Sequence, residues 1–245
     1  MNTGLCIEDV TVSYHRVPAI HHLTLSVPAG RCVAVMGPNG AGKTTLLKAI
    51  AGLLPLETGR IAYNGRSLGS GRERGTIAYV PQREAIDWDF PITVRGLVEM
   101  GRFPALGMWK AFGSSDGAAV DGALDAMDLG AFADRQISKL SGGQQQRAFL
   151  ARAWAQQSDI YLLDEPFTGL DRNARLAFAE CLHRLRADGK LVLASHHDHS
   201  DVAEVFDEVV LLNGELVAAG STADTFVADN IERAFGTRIF TGEGA

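Results

Sequence analysis

The chain has 245 residues, 46% hydrophobic and 21% charged, which excludes disordered, collagen-like and coiled-coil chains and leaves room for one large domain or two small ones. Lysine and arginine total 23 against 29 aspartates and glutamates, a net charge of −6, so no overall basic field draws the chain onto nucleic acid or anionic lipid. No apolar run nears the roughly 18 residues that span a bilayer, no secretory leader is visible, and three cysteines without a CxxC pair give no disulfide framework; a reduced cytosolic chain is expected.

Near the start, Val10, Val12 and Tyr14 sit two apart, and Leu23, Leu25 and Val27 alternate with Thr24 and Ser26. That is the period of half-buried strands, and it predicts an opening antiparallel β region. From Arg31 the pattern becomes a continuous apolar run, Cys32-Val33-Ala34-Val35-Met36, as a strand covered on both faces requires. Ile160-Tyr161-Leu162-Leu163 and Leu191-Val192-Leu193-Ala194 read alike, as does 209–212. Between the first two of these, Leu176, Ala179, Cys181, Leu182 and Leu185 fall at helical spacing, with Gly189 as a C-terminal cap. Strand, helix and strand in this order imply a parallel sheet wound with helices. Residues 85–157 break the rhythm with helical segments expected at 93–102, 116–128 and 144–156. Gly69-Ser70-Gly71 and Gly113-Ser114-Ser115 read as surface loops.

Gly37-Pro38-Asn39-Gly40-Ala41-Gly42-Lys43-Thr44-Thr45 follows the first buried strand and runs into the helical Leu46-Leu47-Lys48-Ala49-Ile50, a GxxxxGK[ST] phosphate loop in its required context. Its glycines let backbone N–H groups turn toward the β- and γ-phosphates of a nucleotide, Lys43 adds a point charge, and the Thr44 hydroxyl suits Mg²⁺. At the end of a second buried strand, Asp164 suits the Mg²⁺ shell and Glu165 suits polarising an attacking water. A second glycine-rich turn, Leu140-Ser141-Gly142-Gly143-Gln144, precedes the helix expected at 145–156 and has no lysine. One phosphate loop meets one nucleotide's needs, so this turn suits closing over the nucleotide of another copy; an ordinary helix cap is the plainer alternative.

Together the phosphate loop, Leu140-Ser141-Gly142-Gly143-Gln144, Leu163-Asp164-Glu165-Pro166 and Ser195-His196-His197-Asp198 closely resemble the nucleotide-binding subunit of ABC transporters, over residues 5 to about 220. The resemblance implies an α/β fold, a P-loop NTPase core with a mixed sheet wound with helices and an N-terminal antiparallel β region. It also implies a helical subdomain at 85–157 inserted in a single domain 1–245. It further implies a head-to-tail dimer of two copies sandwiching two ATP molecules with Mg²⁺, each between the phosphate loop of one copy and Ser141, Gly142, Gly143 and Gln144 of the other. Tyr14 matches the aromatic that stacks on adenine. Gln82 matches the loop that touches Mg²⁺ and water and senses the membrane subunit. Asp171 matches the loop crossing the dimer interface, and His197 the switch histidine near the γ-phosphate; His196 stands where threonine is commoner. The implied catalytic set is Glu165, His197, Gln82 and Lys43, with Thr44, Gln82 and Asp164 toward the metal. A metal-site reading of His196, His197 and His199 is the alternative for that run, weakened because consecutive residues leaving a strand point to opposite faces.

Three functions compete at this point. An energy-coupling ATPase binds integral membrane permease subunits at the cytoplasmic face of the inner membrane, peripherally, and indirectly serves an extracytoplasmic solute-binding protein. A soluble ABC ATPase would act on ribosomes or DNA. A structural protein that has lost catalysis conflicts with intact Lys43, Asp164, Glu165 and His197. One uninterrupted cassette without a basic extension favours the transporter and no nucleic-acid partner. Residues 86–94, with Trp88 and Phe90 rimmed by Asp87 and Asp89, resemble the matching segment of ATPases from bacterial zinc, manganese and iron uptake systems. Exposed aromatics there suit a groove for a short helix of the permease, or else the rings pack the helical insertion. Import of haem or iron-siderophore complexes is the nearest rival cargo.

Overall fold

The computed structural model describes residues 4–14, 17–68, 75–82, 90–107 and 110–236. The chain divides into two compact units, one formed by Met1–Arg72 with Leu191–Ala245 and one by Glu73–Lys190.

In the first unit, β1 (Gly4–Tyr14) and β2 (Val17–Pro28) pair antiparallel, and β4 (Thr58–Tyr63) pairs with the other edge of β1 and carries the short β5 (Arg66–Ser67). The alternation expected in β2 is present, with Leu23, Leu25 and Val27 buried and Thr24 and Ser26 exposed. β3 (Cys32–Met36) lies between β8 (Leu191–Ser195) and β9 (Glu208–Leu212), parallel to both, and β10 (Leu216–Ser221) closes the edge antiparallel to β9. Every residue of β3 is apolar and buried, as a central strand covered on both faces of its sheet requires. α1 (Lys43–Ile50) follows β3, and α7 (Val202–Val205), α8 (Thr222–Thr225) and α9 (Ala228–Phe235) complete the unit.

In the second unit, β6 (Ile77–Val80) and β7 (Ile160–Leu163) are parallel neighbours. Around them lie α2 (Val94–Glu99), α3 (Phe103–Leu106), α4 (Ser114–Ala126), α5 (Gly142–Ala155) and α6 (Arg172–Ala187). The segment expected as one helix at 93–102 ends at Glu99 and tightens to a 3₁₀ turn over Met100–Arg102. A Cβ on Gly101 would lie 2.1 Å from the carbonyl oxygen of Arg152, so this turn is pressed onto α5 where only glycine fits. The buried Arg102 guanidinium clamps the contact, donating to Asp116 Oδ1 at 3.0 Å and to the carbonyl of Ala155 at 2.7 Å.

Two expectations fail locally. Ser114 and Ser115 belong to the first turn of α4 rather than to a loop, because the Asp116 carboxylate accepts the N–H of Gly113 and starts the helix there. That hydrogen bond, and Arg102 beside it, hold the Asp116 carboxyl below its ordinary pKa. Leu176, placed by its spacing on the buried face of α6, is 51% exposed; Phe178 takes the core position and meets Phe167 edge to face at 5.2 Å. The other α6 positions, Ala179, Cys181, Leu182 and Leu185, are buried as expected. Gly189, at φ 75°, ends the helix with its N–H on the carbonyl of Arg186. Gly69-Ser70-Gly71 lies outside the described residues, as does Trp88 with Asp87 and Asp89.

Candidate functional site

Each unit presents its chemistry at the C-terminal ends of its parallel strands, where helix N-termini and turning backbone face outward. In the first unit β3 runs into the turn 37–42 and then α1, with Lys43 and Thr44 in its first turn. Gly37 and Gly42 adopt left-handed φ values of 153° and 95°. A Cβ on Gly37 would meet the carbonyl of Leu212 at 2.1 Å, and one on Gly42 the carbonyl of Ala19 at 2.7 Å. The turn is therefore glycine at these points for closeness as well as for conformation. It is pinned from outside by the N–H of Gly214, which donates to the carbonyl of Ala41 at 3.1 Å. The Lys43 side chain, only 8% exposed, folds back into the turn and donates to the carbonyls of Gly37 and Pro38 at 2.8 and 2.9 Å. Asn39 and Gly40 are exposed, Pro38, Gly42 and Thr44 half-buried, and Ala41 and Thr45 buried.

β8 ends beside β3 in register, Val35 opposite Ser195, so the chain after Ser195 leaves the sheet next to the phosphate-loop turn. His197 is exposed there. His196 is buried with Nε2 2.7 Å from Asp201 Oδ1, and His199 packs between Phe226 and Phe235. The histidines thus turn to different surroundings, and among the described residues no group of three or more His, Cys, Asp or Glu side chains is placed to hold a metal ion. Tyr14 ends β1 with 41% of its surface exposed.

In the second unit Gln82 follows β6 half-buried, and Asp164 and Glu165 follow β7 beside it, the N–H of Asp164 bonded to the carbonyl of Val80. Asp164 is 2% exposed, with the Tyr79 hydroxyl 3.5 Å from Oδ2. Glu165 has φ 50°, a left-handed backbone that L side chains adopt reluctantly, and its Oε2 accepts from the Thr168 hydroxyl at 3.3 Å.

Ser141, exposed, is the N-cap of α5. Its Oγ accepts the N–H of Gln144 at 3.3 Å while Gln144 Oε1 accepts the N–H of Ser141 at 3.0 Å, a reciprocal capping box. The plainer reading of that turn is therefore realised, and the cap holds the helix N-terminus outward as an anion contact requires. Gly142 and Gly143 open the helix. A Cβ on Gly143 would meet Ala174 Cβ at 2.9 Å, so the head of α5 is pressed against α6. Asp171 caps α6, accepting the N–H of Ala174 at 2.8 Å.

Sequence reasoning missed Gln146. Its buried amide donates to the carbonyl of Pro166 at 3.1 Å, tying the Ser141 helix to the turn that carries Glu165. The signal available was a third consecutive glutamine falling on the buried side of α5, where a polar residue needs a partner. Asp201 was likewise missed.

The sequence model of a family described as ABC transporter matches residues 20–168. The chain is 46% identical to the zinc transport system ATP-binding protein TroB of Treponema pallidum, over 95% of this chain and 87% of that protein. It is 42% identical to the manganese transport system ATP-binding protein MntB of Bacillus subtilis, over 95% and 92%. Among solved structures it is similar to a metal-chelate type ABC transporter in an inward-facing conformation, with TM-score 0.87, 28% identity, and coverage of 100% of this chain and 93% of that one. A family match across most of the described core, joined to this level of identity along nearly the whole length, makes the chain a member of the ABC transporter family, as its ATP-binding and ATP-hydrolysing subunit.

Proposed function

We propose that the chain powers a bacterial importer of a transition metal ion of the manganese, zinc or iron class. ATP use rests above all on one observation: the turn 37–42 stands between a fully buried strand and a helix N-terminus with the Lys43 ammonium folded into it. The cargo rests on TroB and MntB, whose names give zinc and manganese. A second reading, import of haem or an iron-siderophore complex, draws on the likeness to the metal-chelate type transporter.

Thr44, Gln82 and Asp164 offer a hydroxyl, an amide carbonyl and a carboxylate, hard oxygen donors that fit Mg²⁺ and carry no thiolate or imidazole. Bound with ATP, Mg²⁺ would neutralise phosphate charge. The chain's own residues do the rest. The backbone N–H groups of residues 37–45 and the Lys43 ammonium hold the phosphates, Tyr14 stacks on adenine, and Glu165 accepts a proton from the attacking water. His197 approaches the γ-phosphate side, and Gln82 links the site to the membrane subunit. A second copy supplies Ser141, Gly142, Gly143 and Gln144, with Asp171 at the shared face, so two ATP molecules join two chains. Permease subunits dock against a helical subdomain at 85–157. Phe90, Met100, Phe103 and Phe112, exposed by 39 to 57%, support an apolar contact surface in that part of the chain. The subunit sits peripherally at the cytoplasmic face of the membrane, a reading that rests on the transport systems to which TroB and MntB belong by name; among the described residues no helix is long and apolar enough to cross a membrane.

The test is reconstitution with the permease in vesicles. ATPase activity is expected to rise with a solute-binding protein loaded with Mn²⁺ or Zn²⁺. A rise only with a haem- or siderophore-loaded protein, or outward transport, refutes the cargo and leaves the ATPase intact.

A further inference from the structure

His197, exposed, leaves β8 between residues whose side chains hydrogen-bond within the same loop. Directly before it, His196 is 1% exposed; its N–H donates to the carbonyl of Val35 on the neighbouring strand at 3.0 Å, and its ring stands 5.3 Å from that of Phe206. Its Nε2 lies 2.7 Å from Oδ1 of Asp201, whose side chain is 19% exposed. Asp201 in turn heads α7, its carbonyl accepting the N–H groups of Glu204 and Val205 at 3.1 Å. The loop between these two residues is thus closed by a side-chain chord from its first residue to its last. On the solvent side Asp198 Oδ1 accepts both the N–H and the hydroxyl of Ser200, at 3.1 and 2.7 Å.

A histidine buried at a strand end needs its ring N–H satisfied, and an aliphatic side chain would fill the same space without that demand. Here the demand is met by an acid five residues on, so the hydrogen bond sets the loop's span and with it the direction in which His197 leaves the sheet. We propose that His196 and Asp201 form a positioning pair for His197, acting on phosphate chemistry through the geometry of the loop and not by contact with nucleotide. The inference rests on the reading of His197 as the γ-phosphate-side histidine. Misplacement of a reacting group by about 1 Å lowers turnover by up to about a hundredfold, which is ample room for such a pair to act.

The experiment uses the full chain assembled with its permease in vesicles, with ATP turnover counted per nucleotide-binding site and unfolding followed in parallel. His196→Ala and Asp201→Ala are each expected to lower kcat about tenfold or more with the KM for ATP nearly unchanged. The double variant should lose no more than either alone, because one bond is removed once. His196→Gln, which keeps a donor, and Asp201→Asn, which keeps an acceptor, should recover most of the loss. A purely structural role predicts instead a lower unfolding midpoint with kcat per folded site unchanged, and that result overturns the proposal. Should His196→Ala not fold, the partly exposed Asp201→Ala decides alone by the same criteria. His197→Ala separates the two levels. Lost turnover there with full kcat in the Asp201→Ala and His196→Ala variants refutes the pair only, whereas full turnover in His197→Ala removes the reading beneath it and the pair with it.

Discussion

Lys43 and Glu165 are held by opposite devices. The ammonium is drawn into its own turn by two carbonyls, a cheap arrangement that a phosphate can take over, whereas the carboxylate stands on a backbone twisted into the left-handed region after β7. The carboxylate's role is testable at this scale. Glu165→Gln should keep ATP binding and nearly abolish hydrolysis, because an amide cannot take the proton that a carboxylate takes. Turnover above about a tenth of wild type, a barrier change under ~1.4 kcal/mol, would contradict the role. The residues themselves were plain in the sequence, since a phosphate loop and paired acids declare their chemistry by type and spacing. Gln146 and Asp201 were not, because their roles are hydrogen bonds to a carbonyl and to a ring that no spacing rule joins.

At the scale of elements, β3, β7 and β8 were legible because strands flanked or covered on both faces leave unbroken apolar runs. The break after Glu99 was not, because what stops the helix is the backbone of α5 against Gly101, a contact 51 residues away in the chain. Leu176 misled for a related reason, as the larger Phe178 claimed the core against Phe167. The C-terminal helices offer a prediction of their own. His199 Nδ1 is buried without a hydrogen-bond partner among the described residues, and its ring lies 5.4 Å from Phe226 and 5.0 Å from Phe235. Burial pushes the His199 pKa below its usual 6.5, with Asp198 raising it and His197 lowering it further; Asp224 on α8 and Asp229, Glu232 and Arg233 on α9 supply the helices' charges. Below about pH 6.5 the unfolded chain binds a proton there that the folded chain refuses, so stability falls as pH drops through that value toward the folded pKa. Glu208, raised by burial, acts in the opposite sense nearer its usual 4.5. Protection of the α9 amides, taken as their exchange rate relative to that of the unfolded chain at the same pH, should therefore fall between pH 7 and 5.5, and His199→Leu should flatten the response; an unchanged slope in that variant refutes it.

At the scale of the whole molecule, the proposed function makes ATP an assembly ligand as well as a substrate. Ser141 is exposed at the head of a capped helix, and the turn it caps contains no lysine of its own. The chain should therefore stay largely monomeric without nucleotide and form a dimer with ATP and Mg²⁺, most visibly in Glu165→Gln, as mass action through a shared ligand requires. Ser141→Arg should block the dimer by bulk while leaving the phosphate loop able to bind ATP. Sedimentation showing the same ATP-dependent dimer in that variant would dispose of the shared face. The division into units was less legible than the motifs. The helical stretch expected at 85–157 lies within a unit running from Glu73 to Lys190, which also owns the β6–β7 pair and α6, and pairing between strands some 80 residues apart leaves no mark in local composition. The left-handed backbone of Glu165 bears on how such a chain ages under selection. Glycine relieves that conformation of roughly 1–2 kcal/mol relative to any residue with a Cβ, so Glu165→Gly should unfold at a higher midpoint than Glu165→Ala. A lineage screened for thermal endurance and released from the need to hydrolyse ATP would drift toward glycine at this one position.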